Sequence, residues 1–158
     1  MGLKDSFKSC MKNYLSFKGR ASRSEFWWFE LSCLIIIYGT WFICELLIDI
    51  TDKQGWENLI FIVAIALLLP QLSVMGRRYQ DIGIPAWIGI TFFIVLSIAT
   101  LFSGSFKTSN SLIIILVGGS ELIGWIVFYW LMCKKGISGV NKFGMNPLEK
   151  KFLLNENK

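Results

Sequence analysis

The chain contains no histidine, so the side chain that most often transfers protons near neutral pH is missing. This absence excludes Ser-His and Cys-His catalytic pairs and histidine-ligated metal sites. The four cysteines include no C-x-x-C pair, which does not fit a zinc site. We interpret them as small buried hydrophobic residues, and we predict neither a metal site nor a cofactor.

Aspartate is absent from the four long apolar runs of the chain, so no pair of intramembrane aspartates is available for catalysis. Asp49 and Asp81 flank different runs, near opposite membrane faces, and cannot meet. The first 25 residues are polar and basic and lack the apolar core of a cleavable signal peptide. A lysine, glutamate or cysteine mechanism stays open, but no pattern indicates one. We therefore predict a protein that is not an enzyme.

Apolar residues, by contrast, make up 54% of the chain, and the mean hydropathy is +0.54. A soluble domain needs more polar surface than this. The apolar residues form four runs, each long enough to cross a bilayer, which takes roughly 20 helical residues. We predict an all-α integral membrane protein with four transmembrane helices in two hairpins, at 26–48, 57–76, 85–102 and 111–133. A single membrane domain is expected over 1–147 and a flexible cytoplasmic tail over 148–158.

The N-terminal segment places apolar and basic residues on different faces of a short helix. The apolar face holds Leu3, Phe7, Cys10, Met11 and Tyr14, and the basic face holds Lys4, Lys8 and Lys12. This pattern favours a short interfacial amphipathic helix that precedes the spans and lies in the headgroup region, and a solvated helix is the alternative.

Local signals mark the ends and the weak points of the spans. Ser22, with Glu25 three residues later, forms a capping box, which predicts that the first long helix starts there. Within the second run, Pro70 removes a backbone hydrogen bond, and the freed carbonyl needs another partner in lipid. We predict that Gln71 or Ser73 supplies that partner.

A polar stretch, Arg77-Arg78-Tyr79-Gln80-Asp81-Ile82-Gly83, separates the second and third runs. Its charged and amide side chains are costly in hydrocarbon, so we predict a loop that faces water. If the preceding helix continues, Arg77 and Asp81 lie four residues apart and pair on one face. Gly83 is the predicted helix stop, and Pro85 is the predicted first residue of the next helix.

The distribution of basic residues predicts the orientation in the membrane. Fourteen Lys and Arg residues lie on the side that holds both termini, and only Lys53 and Lys107 lie on the other. By the positive-inside rule, we expect both termini to be cytoplasmic. The net charge of +5 therefore flanks membrane segments, which favours anionic lipid over nucleic acid as its partner.

Two acidic residues within the runs are functional candidates, because charge inside a membrane is costly and usually has a role. Glu30 lies about one turn inside the first span, where it can meet Arg20 or Arg23. Glu121 lies near the middle of the fourth span, close to the small-residue pair Ser120 and Gly124, which favours close approach of another helix.

For Glu121, the alternative to a functional role is a pair with Gln71 or Ser73, or simple protonation. A small proton-coupled transporter that uses Glu30 or Glu121 is the alternative function for the whole chain. Small multidrug transporters that insert in both orientations need a near-balanced charge distribution, and fourteen basic residues against two argue against that type.

Three motifs occur in order along the chain. The first comprises Phe17, Lys18, Gly19, Arg20, Arg23, Glu25, Phe26 and Trp27. The second comprises Arg77, Arg78, Tyr79, Gln80 and Asp81. The third comprises Gly139, Asn141, Lys142, Phe143, Gly144, Asn146 and Pro147. Together, over about residues 10–147, they resemble the domain-of-unknown-function family 805 of small bacterial inner-membrane proteins.

The resemblance implies this architecture but brings no established activity. The family commonly has histidine where this chain has Gln80, so no role in proton transfer or metal binding holds at that position here.

We predict that the three motif segments converge on a cytoplasmic polar platform that binds an anionic phospholipid, a protein partner or a second copy of the chain. The candidate residues are Arg20, Arg23, Glu25, Arg77, Arg78, Asp81, Asn141 and Asn146. The alternative is that this cluster only locks the helix ends and sets the topology. Replacement of Arg78 by alanine is expected to leave the fold intact and to abolish ligand capture.

Overall fold

The computed structural model describes residues 2–51, 56–103 and 111–149. Over these ranges the chain forms helices and no named strand. The helices are α1 (Leu3–Lys12), α2 (Arg23–Thr51), α3 (Glu57–Asp81), α4 (Ala86–Ser103) and α5 (Ser111–Cys133). The last four are long and apolar enough to cross a membrane. The all-helical fold and the four membrane-length helices predicted from the sequence are confirmed.

Helix α3 continues to Asp81, past the end at residue 76 that its apolar run predicts. The stretch from Arg77 to Asp81 is therefore the last part of a helix, and its residues are buried. The prediction that this stretch is a loop facing water is wrong, because other segments of the chain cover it and pair with its charges.

The turn after α3 follows the prediction more closely. Gly83 has a φ of +89°, a left-handed conformation that glycine adopts at little cost. The N–H groups of Gly83 and Ile84 donate to the Gln80 and Tyr79 carbonyls at 3.2 and 2.9 Å, which closes the helix end. Pro85 lies one residue before α4 rather than at its first position.

Helix α1 packs along α2 through its apolar side. Phe7 stacks on Phe29 of α2 with 5.9 Å between ring centroids, and Cys10 is fully buried. Lys4, Lys8 and Lys12 are exposed on the other side. The helix thereby covers the polar end of α2 while its charges stay outside.

The segment after α1 supplies the partner that the proline in α3 requires. Pro70 has no N–H for the carbonyl of Ala66, one turn earlier. The hydroxyl of Tyr14 donates to that carbonyl instead. Ser73 lies 2.9 and 2.7 Å from the Asn13 and Ser16 carbonyls, so it too is engaged with this segment.

The prediction that Gln71 or Ser73 serves the freed carbonyl is therefore wrong. The donor comes from a segment more than fifty residues earlier in the chain, as the Tyr14–Ala66 separation of 52 shows. No signal within α3 indicates that partner.

Aromatic side chains join α3, α4 and α5. Phe128 of α5 lies 6.4 Å from Tyr79 and 5.6 Å from Phe93, measured between ring centroids. A Cβ atom at Gly124 would meet the Leu96 side chain of α4, so this small residue permits close packing within the chain itself.

The outward faces of the long helices carry exposed large apolar side chains, such as Ile35, Phe61, Ile98 and Leu116. An exposed apolar surface of this extent fits contact with lipid. Residues 52–55 and 104–110, which include Lys53 and Lys107, lie outside the described residues, as does the predicted flexible tail from residue 150 onward.

Candidate functional site

The structure brings all eight predicted platform residues to one end of the helix bundle. We call this set the polar cap: Arg20, Arg23, Glu25, Arg77, Arg78, Asp81, Asn141 and Asn146. Backbone hydrogen bonds fasten two chain segments to the end of α3. The Ala21 N–H donates to the Arg77 carbonyl at 3.1 Å, and the Ile137 N–H donates to the Asp81 carbonyl at 2.9 Å.

Asp81 is the acceptor at the centre of the polar cap. Its carboxylate pairs with Nε of Arg20 at 2.8 Å and with Nη1 of Arg78. The side chains of both arginines have no exposed surface, and that of Asp81 is 6% exposed. A buried carboxylate thus balances two buried guanidinium groups, which also need acceptors from elsewhere.

Backbone carbonyls after and at the end of α5 supply those acceptors. Arg20 donates to the carbonyls of Gly139, at 2.6 Å, and Ile137. Arg78 donates to the carbonyls of Met132, at 3.1 Å, and Lys134. Every guanidinium nitrogen of these two arginines has an acceptor. Through these hydrogen bonds the two arginines hold the end of α5 and the following loop against α3.

Arg77 faces a different part of the chain and pairs with Glu25, with 3.0 Å between Nη1 and Oε1. The predicted pair between Arg77 and Asp81 is therefore wrong. Neighbouring residues on an α-helix point about 100° apart, so Arg77 and Arg78 face different parts of the chain. Asp81 lies on the same side of α3 as Arg78, which precedes it by three residues and pairs with it.

Glu25 connects Arg77 to the start of α2 and to α1. Its N–H is capped by the Ser22 hydroxyl at 3.2 Å, as the capping signal predicts. Its carboxylate does not turn back to complete the box but accepts from the Ser9 hydroxyl at 3.0 Å. Burial raises the pKa of the nearby Cys10 thiol to about 12, with the charge of Glu25 as a second cause.

Arg77 differs from the other two buried arginines because part of its guanidinium group is unengaged. Its side chain is 6% exposed, and its Nε and Nη2 atoms have no hydrogen-bond partner among the described residues. Arg77 lines a cavity of about 470 Å³. The other lining residues are Ser9, Asn13, Lys18, Gly19, Arg20, Glu25, Phe143, Gly144, Met145 and Pro147.

The two asparagines of the polar cap shape the loop after α5. Asn141 donates to the Gln80 carbonyl at 3.0 Å and accepts from the Phe143 N–H at 2.8 Å. Asn146 accepts from the Leu148 N–H at 3.0 Å. Both side chains therefore hold the fold of this loop, and Asn141 also ties it to α3.

Arg23 and the two candidate acids lie apart from these contacts. Arg23 is exposed and reaches the Cys133 carbonyl at 3.5 Å. Glu30 accepts from the Gln71 amide at 3.1 and 3.3 Å, so the predicted pair with Arg20 or Arg23 is wrong. Gln71 faces α2 at the level of Glu30, whereas both arginines lie at the end of the bundle.

Glu121 is half-buried and makes no hydrogen bond or ion pair with the described residues. Because Gln71 binds Glu30 and Ser73 binds the segment after α1, the alternative pairing of Glu121 with either residue is wrong.

Two residues that line the cavity beside Arg77 were not predicted from the sequence. Lys18 belongs to the first motif but was not among the predicted platform residues, and Ser9 carried no signal. The sequence signal that could have indicated Lys18 is its position in that motif, two residues before Arg20. Ser9 enters the site only because α1 folds back over α2.

Comparison with known proteins assigns the chain to a family. A family model described as a protein of unknown function (DUF805) matches residues 14–145. The chain belongs to this family. The resemblance predicted from the three motifs is thus confirmed, and the motifs are the segments that meet in the polar cap.

Two relatives from Escherichia coli strain K12 are similar over most of their length. The inner membrane protein YhaH is 27% identical over 150 residues, which cover 90% of this chain and 96% of the relative. The inner membrane protein YhaI is 26% identical over 141 residues, which cover 89% and 93%. No solved structure matches the chain significantly. The family assignment and the four membrane-length helices together identify the chain as a multi-pass membrane protein.

Proposed function

We propose that the chain is a non-enzymatic protein of the bacterial inner membrane whose polar cap faces the cytoplasm and binds an anionic group. That group belongs to an anionic phospholipid or to an acidic segment of a protein partner. The names of the two relatives and the excess of basic residues at the polar-cap end support the location. In this arrangement the spans form two hairpins, and α1 lies in the headgroup region with its lysines toward anionic lipid.

The orientation has a direct test. A fluorescent protein fused after the last residue should fold and fluoresce, because that end lies in the cytoplasm. Alkaline phosphatase fused at the same place should be inactive, since it needs the periplasm to form its disulfides. The same two reporters inserted after Lys53 should give the reverse result. An active phosphatase at the C-terminus would overturn the cytoplasmic position of the polar cap.

The unengaged edge of Arg77 is the observation that supports binding. The polar cap contains four arginines against Glu25 and Asp81, so it carries excess positive charge. Arg20 and Arg78 are fully engaged, and Arg77 keeps two donor nitrogens without a partner beside a cavity. A buried donor without an acceptor is costly, and an anion at this place would remove that cost.

Mass spectrometry of the protein released from mild detergent tests the binding proposal. The wild type should retain anionic phospholipid from a mixture with a zwitterionic lipid. The Arg77→Gln variant should retain less, and the Lys4→Gln variant, which loses an exposed charge on α1, should retain as much as the wild type. Equal lipid retention by all three proteins would indicate that the polar cap only fixes the helix ends and does not bind anionic lipid. A co-purifying protein or a second copy of the chain would identify the other class of partner.

A small proton-coupled transporter is the second candidate, and the contact between Glu30 and Gln71 favours it. This carboxylate lies inside a membrane-length helix and is joined to the neighbouring span by one amide. Proton-coupled flux in liposomes, lost in Glu30→Gln or Glu121→Gln, would support this function. An absence of flux for all tested solutes would count against it.

A further inference from the structure

We propose that the ligand of the polar cap is a phosphate monoester, bound between the Nε–Nη2 edge of Arg77 and the ammonium group of Lys18. This inference rests on the binding function proposed above and specifies its chemistry. The site is the cavity of about 470 Å³ between α1, the start of α2, the end of α3 and the loop after α5.

The geometry of the Arg77 guanidinium group selects the kind of anion. Its Nη1 corner is occupied by Glu25 at 3.0 Å, and its Nε and Nη2 atoms are buried beside the Cys10 thiol without a nitrogen or oxygen partner among the described residues. Nε and one Nη form the edge that donates two parallel hydrogen bonds to an oxyanion. The ligand must therefore present two acceptor oxygens to one edge.

Lys18 supplies a third interaction from the cavity wall. It is exposed, and no described residue forms an ion pair with it. Ser9 and Asn13 add a hydroxyl and an amide to the lining. The volume lies within the range of about 300–1,000 Å³ that small-ligand sites occupy.

These donors favour a phosphate monoester over other anions. A carboxylate has two oxygens and one negative charge, so Lys18 would have to share an oxygen with the edge of Arg77. A phosphodiester likewise has two free oxygens. A monoester has three, so two can meet Arg77 while the third meets Lys18. Its second negative charge also offsets the two cations more completely beside Glu25.

Two sources can present this group: the headgroup of phosphatidic acid in the cytoplasmic leaflet, or a water-soluble phosphate. The cavity is lined on one side by Phe143, Met145 and Pro147, which offer apolar contact to the rest of either ligand. The shared chemistry is the monoester, and the choice of probes separates the sources.

The test measures the affinity of the purified full-length protein for five probes in detergent. They are short-chain phosphatidic acid, short-chain phosphatidylglycerol, glycerol 3-phosphate, inorganic phosphate and succinate. We expect phosphatidic acid or the soluble phosphates to bind at least tenfold more tightly than phosphatidylglycerol and succinate. Binding of phosphatidic acid alone would assign a lipid source, and binding of the soluble phosphates would assign a soluble one.

The variants locate the site. Lys18→Gln should weaken monoester binding by about tenfold, which corresponds to one charge-assisted contact. Lys4→Gln changes the net charge equally but lies outside the cavity lining, and its affinity should equal that of the wild type. Arg77→Lys keeps the charge that faces Glu25 and removes the two-donor edge, so it should also lose binding while the thermal midpoint stays near that of the wild type.

The two proposals fail in different ways. If phosphatidylglycerol or succinate binds as tightly as the monoesters and Lys18→Gln weakens them equally, the polar cap binds anions but does not select a monoester. If no probe binds the wild type, both the monoester site and the anion-binding function are overturned. If probes bind but Lys18→Gln and Lys4→Gln behave alike, the monoester site at Lys18 is overturned and the anion-binding function stands.

Discussion

Replacement of Asp81 by asparagine should destabilise the folded protein strongly, because this carboxylate is the shared partner of two buried arginines. The Arg20 pair measures 2.8 Å, and the second pair joins Arg78. The three side chains are at most 6% exposed, so water cannot replace the lost charge. Asparagine keeps the shape but offers one acceptor oxygen, and its amide would face a guanidinium group.

The expected loss follows from the burial of these groups. Removal of one partner from a buried ion pair costs about 3–5 kcal/mol, because the other charge stays buried. The two pairs share one carboxylate, so their contributions are not additive, and the total should stay in that range. At roughly 2–4 °C per kcal/mol for a chain of this length, the thermal midpoint should fall by roughly 10 °C.

The assay is the fraction of protein that stays monodisperse in mild detergent after heating at a series of temperatures. Asp5→Asn is the matched control, since Asp5 is an exposed acid in the first turn of α1. It should lose at most about 1 kcal/mol through its interaction with the helix dipole. Equal midpoints for the two variants would show that the buried ion pairs do not hold the polar cap together, and the reasoning would be refuted.

Three further predictions follow from single contacts. Tyr14→Phe should lower the free energy of unfolding by about 1–3 kcal/mol, because it leaves the freed carbonyl of α3 without a donor. The same change should cost little in a Pro70→Ala background, where residue 70 regains its own N–H. The same thermal assay measures both costs, and equal costs would contradict the contact. Gly136→Ala should lower the thermal midpoint because its Cβ would overlap the buried carboxylate of Asp81, whereas Gly39→Ala should not, because a Cβ there would meet no atom within 4 Å beyond the adjacent helix backbone. With its pKa raised to about 12, Cys10 in a variant without other cysteines should react with maleimide at pH 8 far more slowly folded than unfolded in SDS, and equal rates would argue against its burial.

The long helices were predictable because the signal for them is local. Lipid requires every backbone group to be satisfied within the segment, so a run of sufficient length and hydropathy is a helix whatever its neighbours are. The four predicted runs correspond to α2, α3, α4 and α5 for this reason. The capping residue Ser22 and the helix stop at Gly83 were also local signals.

The end of α3 was not predictable in the same way. Four charged or amide residues between Arg77 and Asp81 argued for water, since each is costly in an apolar environment. The structure removes that cost with partners that lie far away in sequence, at separations of 52 for Glu25 and 61 for Arg20. A helix end can therefore be both charged and buried when the chain returns to cover it.

The pairing of donors and acceptors inside the polar cap could not be predicted from the sequence either. Spacing along one helix suggested that Arg77 pairs with Asp81, and proximity suggested that Glu30 meets Arg20 or Arg23. Both expectations used neighbours along the chain, whereas the observed partners lie on other elements. The three motifs predicted which segments meet at the end of the bundle, but they carried no information about which donor meets which acceptor.

Arg77 and Arg78 are adjacent in sequence, and the structure separates their roles. Arg78 has no exposed side-chain surface, and its three nitrogens meet Asp81 and two backbone carbonyls. The expectation that Arg78→Ala leaves the fold intact conflicts with this burial, because the change would leave two carbonyls and half of a shared carboxylate without a donor. Arg77 has two buried nitrogens without a hydrogen-bond partner among the described residues, and it lines a cavity that Lys18 also lines. Loss of stability should therefore follow changes at Arg78, and loss of ligand should follow changes at Lys18, so the locking role and the binding role can be measured separately.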